Sequence, residues 1–222
     1  MGRPPRAAIV TGAASGLGFA IARRLGADGF AVVLADRQAE LLDQAVETLA
    51  GEGVVAHAHL VDVTDAAGVE AMVGEAVNRF GQLDVMISNA GIGGLYHFLD
   101  QPLEHWNQVL AVNLTGVFLC GQVAARAMAI QRSGRIVNIA SVAGLQAGSG
   151  RTAYGTSKAA VIHLTKQMAL ELGAFGVSVN AVAPGPVETP MVTANHTDET
   201  RHAFVSRIPL ERYGDPQEVA AA

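Results

Sequence analysis

Tyr154 and Lys158 stand four residues apart in Tyr154-Gly155-Thr156-Ser157-Lys158, at the start of a stretch with helical composition. On a helix that spacing makes two side chains neighbours on one face. A phenol beside an ammonium group is a candidate general acid/base for interconverting an alcohol and a carbonyl. A hydride leaves a carbinol carbon only as the hydroxyl proton is removed, and free tyrosine titrates near ~10, too high for a base at neutral pH. Lowering that value by about three units takes ~4 kcal/mol; a cation about 4 Å away supplies ~1 kcal/mol in water and ~4 kcal/mol in a partly shielded site. Lys158 is therefore expected to suffice only where water is mostly excluded. Ser141 follows the β-branched run at residues 135–139, which delivers it to the carboxyl edge of a sheet, the ligand side of open α/β folds.

A second constellation, Thr11-Gly12-Ala13-Ala14-Ser15-Gly16-Leu17-Gly18, lies between a strand-like run and a helical one. Glycines there let the backbone turn tightly and approach a pyrophosphate, whose charge is favoured by free N–H groups at the helix start. A glycine turn alone could be an ordinary tight turn; its place inside a βαβ unit is what points to a dinucleotide. Asp36 ends the second run and could accept hydrogen bonds from the adenosine ribose. A 2′-phosphate would meet a like charge there, and Ala13-Ala14-Ser15 offers no cation, so NAD is expected rather than NADP. Arg37 is the residue through which NADP would be held instead. Asp62 and Val63 end the third run; Asp62 could meet the adenine amino group or cap a helix, a role that Asp65 is better placed to fill. Asn89-Ala90-Gly91 ends the fourth, where a small-residue turn could pass the cofactor, although Asn89 could equally satisfy nearby backbone groups.

The elements that must position these residues alternate. Strands are expected at residues 7–11, 31–36, 54–60, 85–88, 135–139 and 177–182, with helices at 19–27, 38–50, 66–80, 103–131 and 154–172. Runs such as Ala31-Val32-Val33-Leu34 are apolar throughout, as parallel strands buried on both faces should be. The expected fold is α/β, a doubly wound, Rossmann-like parallel sheet in three α/β/α layers. Residues 184–212 read as a long irregular segment beyond a strand end, the usual place for a functional lid. Gly93, Gly94, Leu95, Tyr96, Leu145, Met191 and Phe204 are candidates for a largely apolar substrate wall.

In chain order, the glycine turn, Asn89-Ala90-Gly91, Asn113, Ser141, Tyr154 with Lys158, and Pro184-Gly185 resemble the ordered set of the short-chain dehydrogenases/reductases, from the first strand to the chain's end. The resemblance implies that Tyr154 is the general acid/base, that Ser141 hydrogen-bonds the substrate oxygen and that Lys158 also holds the nicotinamide ribose. It implies that Asn113 anchors a water-mediated proton path, although by itself Asn113 reads as a polar break in a burial stripe. It implies that Pro184, Gly185, Val187 and Thr189 border the nicotinamide, with Thr189 or the Val187 amide at its carboxamide; the alternative is a proline-stiffened turn. It also implies a homotetramer or homodimer built from the helices at 103–131 and 154–172. Family members continue past the helix opened by Asp215-Pro216-Gln217-Glu218 into a final edge strand. Here the sequence stops at Ala222, so a single catalytic domain lacking that last strand is expected.

Composition narrows the function. With 222 residues, half of them apolar and 16% charged, the chain can bury one large core. Its net charge of −5 gives no electrostatic reason to bind nucleic acid. No membrane partner is expected, since no apolar run approaches roughly 20 residues, and the start lacks the features of a secretory leader, so a cytoplasmic location follows. The one cysteine, Cys120, reads as a small buried hydrophobe, and seven histidines come without a ligand pattern, so no metal is expected. The leading function is hydride transfer between NAD and a small alcohol or ketone. A non-catalytic NAD sensor of the same fold is the second reading, and a methyltransferase, which gives no reason for Tyr154 and Lys158, is the third.

Overall fold

The computed structural model describes residues 5–222; residues 1–4, on which the reading of a leader-free start partly rested, lie outside the described residues. Six strands, β1 (Arg6–Thr11), β2 (Phe30–Asp36), β3 (Ala56–Leu60), β4 (Val85–Ser88), β5 (Gly134–Ile139) and β6 (Val177–Val182), form one sheet in the order β3-β2-β1-β4-β5-β6. Every pairing is parallel. The strand order reverses between β1 and β4, and the crevice at their carboxyl ends is where such sheets take ligands.

Alternation along each strand divides the interior into two apolar layers. Ile9, Val33, Met86 and Ile136 face helices α3 (Ala66–Phe80) and α5 (Val117–Gln131). Val10, Val32, Leu34 and Ile87 face α1 (Gly16–Ala27) and α2 (Ala39–Gly51). Fully burying such a side chain is worth about 1.5–3 kcal/mol, which is why the central strands are apolar throughout. The edge strand β3 begins two residues later than expected, at Ala56, and is only half covered: Leu60 is exposed, as is Val55 just before the strand. Asp65 caps α3 by accepting from the Ala67 N–H, and Asp215 and Glu218 form a capping box on α9 (Pro216–Ala220).

Two further sequence expectations are corrected. The helix expected over residues 103–131 is α4 (Leu103–Leu110), a π-helical turn at Ala111–Gly116, and α5. Together they make 29 residues long and apolar enough to cross a membrane by length and composition, but half of the most apolar stretch is buried within the fold, with Cys120, Ala124 and Met128 in the core. The segment at 184–212 is not irregular throughout. It carries α7 (Pro190–Asn195) and α8 (Asp198–Val205), each started by a threonine side chain that accepts from the helix backbone, Thr189 from Val192 N and Thr197 from Thr200 N.

Candidate active site and cofactor cleft

One cavity of about 390 Å³ opens at the carboxyl edge of the sheet, and its wall collects nearly every residue singled out above. The β1–α1 turn contributes Gly12, Ser15, Gly16, Leu17 and Gly18; the β2 end contributes Asp36 and Arg37; the β3 end contributes Asp62 and Val63. From β4 come Asn89, Ala90 and Gly91, from β5 comes Ser141, and from the segment after β6 come Pro184, Gly185, Val187 and Thr189. Tyr154 and Lys158 project into it from α6 (Thr152–Leu172).

The glycine turn is closed from two sides. Gly12 and Gly16 have φ of 65° and 55°, and a Cβ at Gly18 would collide with the Gly12 carbonyl oxygen. Asn89 Nδ2 donates to the carbonyls of Thr11 at 2.9 Å and Gly12 at 3.1 Å, while Thr11 Oγ1 accepts from the N–H groups of Asn89 and Ala90. The alternative reading of Asn89 as a backbone partner is what the geometry contains, beside its place in the cavity wall. Asp36 spans the same turn, accepting from Ala14 N at 3.2 Å and Gln38 N at 3.1 Å. Asp62 accepts from both the N–H and the hydroxyl of Thr64, which holds its carboxyl below the usual carboxylate range.

Lys158 is buried, and its ammonium donates to the Ile139 carbonyl at 2.7 Å; burial drives its pKa down to about 8. Its Nζ lies 5.8 Å from the Tyr154 ring centroid. The expected depression of Tyr154 by Lys158 is not found. Burial pushes the phenol's pKa up, and the groups that pull it back are a hydrogen bond from Ser141 and the charge of Arg151.

Among the candidate catalytic and cofactor-binding residues Asn113 alone lies off the cavity wall, and of the candidate substrate wall Gly93, Gly94, Leu95, Tyr96, Leu145 and Phe204 lie off it too. The π-helical turn brings Asn113 fully inside, where Oδ1 accepts from Ile92 N at 2.8 Å and Nδ2 donates to Ile92 O and Ser157 Oγ. It thereby fastens the loop following β4 to α6, one residue before Lys158. Of the candidate substrate wall, Met191 lines the cavity, whereas Phe204 stacks on His196 at 5.2 Å and Tyr96 packs on His105 at 4.7 Å. Sequence reading missed Ile92 and Val192 on the wall and, off it, Arg151, whose guanidinium lies 5.8 Å from the Tyr154 ring centroid. Arg151 precedes the helix start expected at Tyr154, so the spacing rule for one helix face did not reach it; the structure makes it the N-cap of α6.

A family model described as short chain dehydrogenase matches residues 6–200. The chain belongs to the short-chain dehydrogenase family. It is 40% identical over 212 residues to a 3-oxoacyl-(acyl-carrier-protein) reductase of Thermotoga maritima, covering 96% of this chain and 86% of the relative. It is 42% identical over 220 residues to the cis-4-hydroxycyclohexanecarboxylate dehydrogenase of Sinomonas cyclohexanicum, covering 98% and 87%. Among solved structures it resembles an actinorhodin polyketide ketoreductase with NADPH, at a TM-score of 0.92 and 39% identity, covering 97% of this chain and 87% of that one. As a short-chain dehydrogenase the chain is an oxidoreductase with an NAD(P)-binding fold, which sets aside the methyltransferase reading. The expectation of NAD over NADP gains no support from these relatives.

Proposed function

We propose that this short-chain dehydrogenase acts as a ketoreductase, moving a hydride between a nicotinamide dinucleotide and an alcohol/ketone pair while Tyr154 handles the hydroxyl proton. The observation that carries the reading is that Tyr154, Ser141 and buried Lys158 share one cavity with the glycine turn. Bound in that cavity, nicotinamide supplies or takes the hydride. The residues present suit it: Gly12 and Gly18 keep the turn bare, and Lys158 uses one of its three N–H donors on Ile139, leaving two for ribose hydroxyls. Tyr154 donates its proton to the carbonyl oxygen, Ser141 hydrogen-bonds the same oxygen, and Asn113 acts as a positioning residue through Ile92. Burial raises the phenol's pKa, which suits Tyr154 to the role of proton donor in carbonyl reduction.

The remaining wall residues, from Gly12 to Thr189, are assigned to the dinucleotide. Asp36 in the adenosine end of the wall supports NAD(H). The NADPH-containing relative favours the second reading, in which Arg37 of the same wall holds a 2′-phosphate. The relatives named above are called after ketone or hydroxyl substrates, which supports a ketoreductase over a non-catalytic sensor. A single domain, a cytoplasmic location and a homotetramer or homodimer belong to the same proposal. The test follows absorbance of reduced nicotinamide across a ketone and alcohol panel, with NADH and NADPH run separately. Tyr154→Phe is expected to lose at least ~100-fold in kcat while still being stabilised by the dinucleotide. Full turnover in that variant would remove Tyr154 from the reaction.

A further inference from the structure

Arg151 is half-buried, at the N-cap of α6, and its guanidinium lies 5.8 Å from the ring of Tyr154. A guanidinium carries five N–H donors in a fixed fork. The structure gives this one a single side-chain hydrogen bond, to His196 Nε2 at 2.7 Å. Its other near neighbours are the phenols of Tyr154 and Tyr213, both neutral at physiological pH. Other arginines of the same region are provided for. Arg201 grips Glu188, and Arg212 grips Glu218, each through two N–H groups. Among the described residues no carboxylate pairs with Arg151. A partly buried cation without a counter-charge is costly, and burial does act against the charge of this one.

Resting on the ketoreductase reading, we propose that Arg151 is the specificity-determining residue for a carboxylate on the substrate, so that the enzyme acts on small oxo acids and hydroxy acids. The planar fork matches a carboxylate through two parallel hydrogen bonds. Its closeness to Tyr154 requires the anion to lie only a few bonds from the reacting carbon. A phosphate far along a carrier arm does not meet that condition. Tyr96 closes the other side, its N–H bonded to Gly150 O beside Arg151, so the anion site is bounded by the loop after β4, the N-terminus of α6 and His196 at the end of α7.

The experiment measures kcat/KM for 4-oxopentanoate and 4-oxocyclohexanecarboxylate against their methyl esters and N-acetylcysteamine thioesters. Wild type, Arg151→Gln and Arg151→Lys are compared. Wild type is expected to prefer each acid over its ester by about tenfold or more, the size of a charge-assisted hydrogen bond, expressed in KM. Arg151→Gln collapses that acid-to-ester ratio toward one, and Arg151→Lys restores part of it. A wild type that prefers ester or thioester, or a ratio that survives Arg151→Gln while both rates fall together, overturns the proposal. A second readout needs no turnover: cyclohexanecarboxylate should raise the melting temperature of wild type more than cyclohexanol does, and not that of Arg151→Gln. Carboxylate stabilisation without turnover of any pair would reject the ketoreductase reading and keep the anion site; equal shifts in wild type and variant reject the site.

Discussion

Lys158 holds its charge in a place that disfavours charge, and the consequence for stability has a definite sign. Its folded pKa is about 8 against an ordinary 10.5. Between those values the unfolded chain binds more protons, so stability rises with pH; below about pH 8 both states are protonated and a desolvation cost of up to ~3 kcal/mol is carried in full. Lys158→Met should therefore be more stable than wild type at pH 7 by about 1 kcal/mol, after loss of the bond to Ile139, and should show no added rise toward pH 10. Urea denaturation at the two pH values checks this, and a less stable variant at pH 7 would contradict it. The same variant should lose turnover, because a site built for chemistry is not built for maximal stability. The pair Tyr154 and Lys158 was legible in the sequence because helix periodicity alone brings them together. Arg151 was not read, because its significance lies in the carboxylate it lacks, and a missing partner is visible only in three dimensions. Asn113 was legible as a polar interruption, but its inward placement depends on the π-helical turn, which no spacing rule announced.

At the level of elements, the short helices after β6 behave as a unit latched by His196. Its Nε2 accepts from Arg151 at 2.7 Å, so its Nδ1 carries the proton that is shared with the Tyr213 hydroxyl at 2.9 Å. Phe204 of α8 stacks on the imidazole, Tyr213 meets it edge-on, and Arg201, itself bound to Glu188, covers Tyr213. Burial, then Arg151 and Arg201, hold the imidazole below its ordinary 6.5, with Glu188 pulling the other way. A histidine held neutral in the folded state contributes its full share above the unfolded value and loses it as pH falls below about 6.5. Protonation would also set an N–H against the Arg151 donor. Amide protection factors in residues 190–205 are therefore expected to fall between pH 7.5 and 5.5 in wild type and to stay level in His196→Gln; equal pH dependence in both would remove the latch. These helices were missed in the sequence although Thr189-Pro190 and Thr197-Asp198-Glu199 are helix-start patterns. Both are too short for an apolar repeat to register, and their order comes from the His196 cluster, which joins residues far apart in the chain.

For the molecule as a whole, the sheet was the most legible feature, since continuous apolar runs of β-branched residues admit few other readings. Its helices were legible by their buried stripes, but burial within one chain does not explain all their apolar surface. On α5, Phe118 and Ile130 are exposed; on α6, Leu170 is; and Phe175, just beyond α6, lies under the Arg132 guanidinium at the end of α5. Ile130 and Leu170 are more than three-quarters exposed, at 86% and 80%. Large side chains left open on two adjacent helices carry a free-energy gain of about 25 cal/mol per Å² if a second copy covers them. A symmetric contact would use each helix against its own counterpart, so that every exposed residue is covered twice over in the pair. The chain is accordingly expected to sediment as a dimer or tetramer. Phe118→Asp combined with Leu170→Asp should shift it to monomer and lower its melting temperature, because each buried carboxylate would face its own copy across the axis. A wild-type chain that sediments as a monomer at micromolar concentration would leave those side chains to serve another purpose.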